Sequence, residues 1–218
     1  MAASWPIAAD ELIGSMLVET VDWHLDENQE LSGTGGGEWI AAGLAPPLWG
    51  AVVSSVAADR ETIERLRARW LLLDGAMGSF YLYDPARPGP ATDPAGTLLA
   101  GATVTIESIE TNRKELSLAG LPADLVLPEG TRLSVTAGSP SRTWYGVLGV
   151  DAEADGSGDA GPFEVRPHLR PWVAAGQVVT LWKPVAKCKL VPNSLRVTQV
   201  TSVTSRLRLE ARQTLSAG

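Results

Sequence analysis

The sequence predicts a mainly β fold, all-β apart from one long helix, and three observations lead to that class. Short segments alternate apolar and polar residues with the period of two that half-buried strands require. Twenty-two glycines and fifteen prolines supply the turns that many short strands need. Only one segment has a sustained helical period.

That segment runs from Asp59 to Leu73, "DRETIERLRARWLLL". Ile63, Leu66, Trp70 and Leu73 recur at spacings of three and four, so one face is apolar and the rest is Arg and Glu. Asp59 suits an N-cap. Glu61 and Glu64 sit early and Arg65, Arg67 and Arg69 late, as the helix dipole favours, and Gly75 is the expected stop. The strands are read from alternation: Val104 and Ile106, Leu133 and Val135, Cys188 and Leu190, and Leu207 and Leu209, each with polar neighbours. After the helix, "DGAMGSFYLYDP" turns on its glycines and returns as a strand, with Phe80 and Leu82 facing Ile63, Leu66 and Trp70, until Asp84-Pro85 ends it.

Two loop-rich stretches suggest a boundary. Residues 84–96, "DPARPGPATDPAG", cannot continue a helix or a central strand, and "DAEADGSGDAGP" covers Asp151 to Pro162. The expected organisation is an outer β domain from residues 1–90 and 167–218, which includes the helix, interrupted by a β module at 91–166. The module is expected to be a small barrel or sandwich of about five strands.

Charge is distributed unevenly. The net charge is −7, which argues against a general nucleic-acid binder. Residues 1–58 carry eight acidic residues and no Lys or Arg, whereas residues 171–218 carry seven basic residues and one acidic. Ends of opposite sign attract each other, either as neighbouring strands within one chain or between chains placed head to tail. Cys188 is the only cysteine, so no internal disulfide or cysteine-based zinc site is possible, and a packed thiol in a reducing compartment is expected. The start lacks a signal-peptide pattern and no run reaches the roughly 20 apolar residues that span a bilayer, so membrane insertion is not expected.

The motifs of chemistry give little. His24 and His168 are the only histidines and neither lies near a nucleophile-elbow pattern, so structural or surface roles are expected and no catalytic residue is assigned. "GTGGGEW", Gly33 to Trp39, places Glu38 where a dinucleotide fingerprint needs its last glycine, which leaves a hairpin or mobile loop. Asp151, Glu153, Asp155, Gly156 and Asp159 match five positions of a Ca²⁺-binding loop, but Pro162 stands where a bidentate Glu belongs. A solvated acidic hairpin loop is the preferred reading, and no cofactor or metal is assigned. Eight tryptophans keep a sugar-stacking surface in view. Trp23, Trp39, Trp70 and Trp182 fall on apolar periods and are expected in the core; Trp49, Trp144 and Trp172 are expected to be exposed, with Trp144 and Tyr145 as glycan contacts.

The order of features is more telling than any one of them. Trp5-Pro6, "EWIAAGLAPPLWGA", the amphipathic helix and "FYLYDP" are followed by a β-rich insertion, then "PHLRP", Pro184 and "KCKL". From Trp5 to Arg196 this order resembles the distal tail proteins of long-tailed bacteriophages and phage-derived particles. The resemblance implies a β-sandwich belt domain with one helix that forms a homo-hexameric ring, and an outward module of OB-like or galectin-like fold. It implies a virion structural protein of the tail tip, made in the bacterial host cytoplasm, with the tail tube protein above and the hub protein below. Phage DNA would pass through the axial channel without specific binding, and the −7 charge suggests an acidic lining. A closed heterologous ring would let Glu19, Asp22, Asp26 and Glu30 meet Lys187, Lys189, Arg206 and Arg208 of the neighbouring copy. The alternative function is a carbohydrate-binding module that contributes to host-surface attachment.

Overall fold

A computed structural model describes residues 4–216. The chain opens with the short helix α1 (Ala9–Leu12), then β1 (Val18–Asp26), β2 (Gln29–Gly33), β3 (Trp39–Gly43), β4 (Leu48–Ser55), β5 (Ala58–Asp59), helix α2 (Arg60–Leu71) and β6 (Phe80–Leu82). The middle holds β7 (Thr105–Ile109), β8 (Glu115–Ala119), β9 (Val126–Leu127), β10 (Arg132–Ala137), β11 (Arg142–Leu148), β12 (Ala152–Glu153), β13 (Ala160–Arg166) and β14 (Val179–Thr180). It returns through β15 (Ala186–Leu190), β16 (Arg196–Gln199) and β17 (Thr204–Gln213). The fold is mainly β, with antiparallel pairing throughout the sheets.

The first sheet has the order β1-β4-β17-β15-β6 and unites both ends of the chain. β5 lies beside β4 on one side of β17, because Ser205 pairs with Ala58 there and with Gln199 of β16 on the other side. Val53, Leu207, Leu209, Phe80, Leu82 and Cys188 put one face of the sheet into a core completed by Leu12, Ile63, Leu66 and Trp70. Trp70 meets Phe80 edge to face at 5.2 Å, a geometry worth about 1 kcal/mol beyond the area the rings bury. Asp59 caps α2 by accepting from the Thr62 amide at 2.9 Å. The helix stops at Leu71, earlier than its apolar period suggests, and turns continue to a left-handed Gly75 (φ 65°), where a Cβ would be strained.

The second sheet has the order β14-β10-β11-β13-β8-β7. It then closes on itself: Ile106 donates to Gln177 at 2.9 Å, Val179 donates to Val104 at 2.9 Å, and Thr105 bridges Val178. This is a six-stranded barrel around Ile106, Leu118, Leu133, Val135, Trp144 and Phe163. β9 and β12 pair with each other outside it.

The barrel does not end at residue 166 as the sequence suggests. Leu169, Val173, Val179 and Leu181 belong to its core and β14 to its sheet, so it continues to Leu181. The prolines of "PHLRPW" read as a return to the outer domain, but Arg113 holds that turn against the barrel. Its guanidinium donates to the carbonyls of Leu169 and Arg170 and, at 2.6 Å, of Val173.

Candidate assembly surfaces

The two cores are joined rather than tethered. Trp49 of β4 donates its Nε1–H to the Tyr145 carbonyl of β11 at 2.9 Å, and Trp23, Trp49 and Tyr145 form one aromatic cluster with centroids 5.2 to 6.3 Å apart. The Val185 amide donates to Ser134 Oγ at 3.0 Å, and Gln213 donates to the Thr143 carbonyl at 3.4 Å. Asp84, at the end of the β6 segment, pairs with Arg132 of β10 in a largely buried ion bridge, and the Arg132 guanidinium lies 5.7 Å from the Trp23 ring centroid. The Asp84-Pro85 corner is therefore a clasp between the sheet and the barrel.

This junction overturns the glycan reading of Trp144 and Tyr145. Their exposures are 1 % and 0 %, because Trp144 fills the barrel and Tyr145 fills the junction, so neither ring can stack on a sugar. Burial pushes the Tyr145 phenol upward, against the opposing influence of Arg132. Trp49 is buried too and Trp172 is half-buried, whereas Trp39, expected in the core, is exposed. Trp182 is 41 % exposed, with Lys183 Nζ 4.9 Å from its ring centroid.

The opposite charges of the chain ends meet within the chain. Glu19 bridges Arg206 at 2.6 Å and Asp26 bridges Arg212 at 2.7 Å, from β1 to β17 across the intervening β4. Arg208 lies 3.7 Å from Glu210. Lys187 is buried, and its ammonium donates to the carbonyls of Ser141 at 3.0 Å and Ser216 at 3.3 Å. Burial and the nearby Lys189 lower its pKa. Lys187 is thus part of the fold rather than of an exposed seam, and Glu19, Asp26, Arg206 and Arg208 are already engaged in cis. Glu30, Lys189 and Arg196 have no ion pair among the described residues, while Asp22 has only His24, at 3.8 Å.

What remains open is the sheet itself. Among the described residues β1 pairs only with β4 and β16 only with β17, so each has one backbone edge without a partner strand there, on opposite sides of the sheet. One face of the sheet is also uncovered: register aligns Asp22, Val52 and Glu210, and next to them His24, Gly50 and Arg212. That face carries both signs in paired form. A side chain at Gly50 would strike the His24 ring, with Cβ 2.5 Å from Nε2.

The acidic loop resolves into a tight turn and the glycine-rich loop into a hairpin turn. Asp155 Oδ1 accepts from the amides of Ser157 at 2.8 Å and Asp159 at 3.0 Å, which turns β12 into β13 and lowers the Asp155 pKa. Among the described residues, no group of three or more His, Cys, Asp or Glu side chains is placed to hold a metal ion. Gly33 to Trp39 joins β2 to β3 in a hairpin whose ten strand residues are all exposed. No helix is long and apolar enough to cross a membrane among the described residues.

Sequence reasoning missed this hairpin as a surface. Its signal was present: Leu31, Trp39, Ile40 and Leu44 surround a glycine turn without one cationic residue nearby. No protein-family profile matches the chain, and no curated protein matches it in sequence.

Proposed function

We propose that this chain is a structural protein of a phage tail tip, a homo-hexameric ring adaptor between the tail tube and the hub, with an axial channel through which DNA passes. The observation that supports this best is the first sheet, in which β1 on one flank and β16 on the other each have an outer edge without a partner strand among the described residues, while the first and last strands of the barrel meet each other. Unpaired edges invite strand addition, and monomeric proteins usually cover or blunt them. Two different edges on opposite flanks give a heterologous contact, which closes into a ring when the rotation per copy allows it.

The charges suit the same role. The flank of β1 offers Asp22 and the flank of β16 offers Arg196, both exposed. On the open face Arg206 and Arg212 are neutralised by Glu19 and Asp26. Phosphates passing such a face would meet few uncompensated cations, so DNA would slide rather than bind. The role is mechanical and assigns no catalysis to the chain. Native mass spectrometry and electron microscopy of the purified protein test it: six-fold rings support the adaptor reading, and a monomer that persists even with tail tube and hub proteins added contradicts it.

A further inference from the structure

We propose that the barrel carries a binding site for an acidic sugar, in the hollow between the β10–β11 turn and the turn that begins at Trp172. The site goes beyond the ring reading and does not depend on it.

The hollow measures about 380 Å³ and is lined by Gly138, Ser139, Pro140, Arg142, Trp172 and Gln177, with Ala137 at its margin. That volume lies within the range of pockets that take small molecules. Both walls are held from outside. On the first, the Ser141 carbonyl accepts from Lys187 at 3.0 Å and the Ser141 hydroxyl lies 2.7 Å from the Tyr81 hydroxyl. On the second, Gln177 closes the turn on itself: its Nε2 donates to the Trp172 carbonyl at 3.2 Å and its Oε1 accepts from the Ala174 amide at 3.1 Å. Arg113 fixes the same turn from below through the Val173 carbonyl, at 2.6 Å. A ligand entering between two fixed walls pays little to order them.

The lining selects the ligand by chemistry. Trp172 is half-buried and packs against the barrel core, which holds its indole in place as an apolar platform. Such a ring suits the C–H face of a pyranose. Polar groups stand beside it. After its two turn bonds Gln177 retains one amide N–H and one lone pair on Oε1. Among the described residues the Ser139 hydroxyl makes no hydrogen bond and Arg142, exposed, makes no ion pair.

Arg142 is the one ionisable side chain on the lining, so the charge offered by the hollow has a single sign. A guanidinium takes a carboxylate through two parallel hydrogen bonds. Flat apolar face, hydroxyls and carboxylate occur together on one ring in a uronic or sialic acid. A nucleotide would also stack on the indole, but its phosphate would meet a single cation on a chain of net charge −7.

The test presents the full-length protein to an array of uronic- and sialic-acid oligosaccharides and their neutral counterparts. Calorimetry then compares the best acidic oligosaccharide with its neutral counterpart and with uridine monophosphate. The acidic sugar should bind at least about tenfold more tightly than either. Arg142→Gln, at an exposed position, should keep the fold by circular dichroism and erase that preference. Trp172→Phe, which preserves much of the packing, should weaken both sugars, whereas Trp39→Ala, which removes an exposed ring on the β2–β3 hairpin, should change neither. Silence across the acidic sugars overturns the proposal. So does equal or tighter binding of the neutral sugar or the nucleotide, or acidic-sugar binding that Arg142→Gln leaves intact. Each of these results leaves the ring reading where it stands.

Discussion

The first sheet and the barrel are built from the same kind of strand, yet they treat their edges in opposite ways. The barrel pairs β7 back to the β14 segment, so its first and last strands meet. The first sheet covers one face with α2 and the barrel; among the described residues its other face and the outer edges of β1 and β16 are open, while Ile7 pairs with the outer edge of β6. Closed sheets complete themselves, whereas open ones are held in register by what is added to them. In the proposed ring the asymmetry would place assembly on the sheet with the barrel as its support, since β11 packs the junction face at Trp23 and Trp49.

That contrast can be broken most severely from the sheet side. Phe80→Asp places a charge against Trp70 in a fully buried position and should cost about 4 kcal/mol or more, enough to unfold the sheet in a urea titration. A soluble variant that still assembles would count against the packing described. Arg132→Ala comes next. It leaves Asp84 buried without its partner, at a cost of about 3 to 5 kcal/mol, and should separate one cooperative transition into two as the barrel detaches. A single transition with unchanged midpoint would show that the clasp contributes nothing.

Trp49→Phe keeps an aromatic ring but removes the donor to the Tyr145 carbonyl. It should cost about 1 to 3 kcal/mol, measured by thermal melting, without dissociating the two parts. The smallest effect is conditional on pH. Burial alone would raise the Asp93 carboxyl, but hydrogen bonds from the amides of Leu99, Thr97 and Leu98 and from the Thr97 hydroxyl outweigh it and hold the pKa below the ordinary range. Its stabilisation is therefore present above about pH 4 and lost as the pH falls through the depressed folded value. Melting curves of the parent and Asp93→Asn should differ at neutral pH and converge in acid; a constant difference would remove Asp93 from that role.

Much of this architecture was legible in the sequence, and the reasons are local. The helix showed itself through Ile63, Leu66 and Trp70, and the strand after it through Phe80 and Leu82, because one face of each is buried and the other is wet. The tryptophans misled for a related reason. Trp39 alternates like a core residue, but alternation records a face and not what covers it. Trp144 and Tyr145 are adjacent and both buried, since β11 is enclosed by the barrel on one side and the first sheet on the other, which erases the period of two. The barrel's far boundary was hidden by prolines that sit in a turn held by Arg113, a contact of long sequence separation. The charged ends were read for their attraction, but sequence alone does not distinguish a partner strand in the same sheet from one in a neighbouring copy.

The central claim is that the open sheet assembles laterally while the closed barrel does not. Electron microscopy of the full chain, alone and with the tail tube and hub proteins, tests it most directly. The account predicts six-fold rings in which the sheets form the inner wall and the barrels project outward. Monomers under every condition, or oligomers joined through the barrels with β1 and β16 left free, would contradict it.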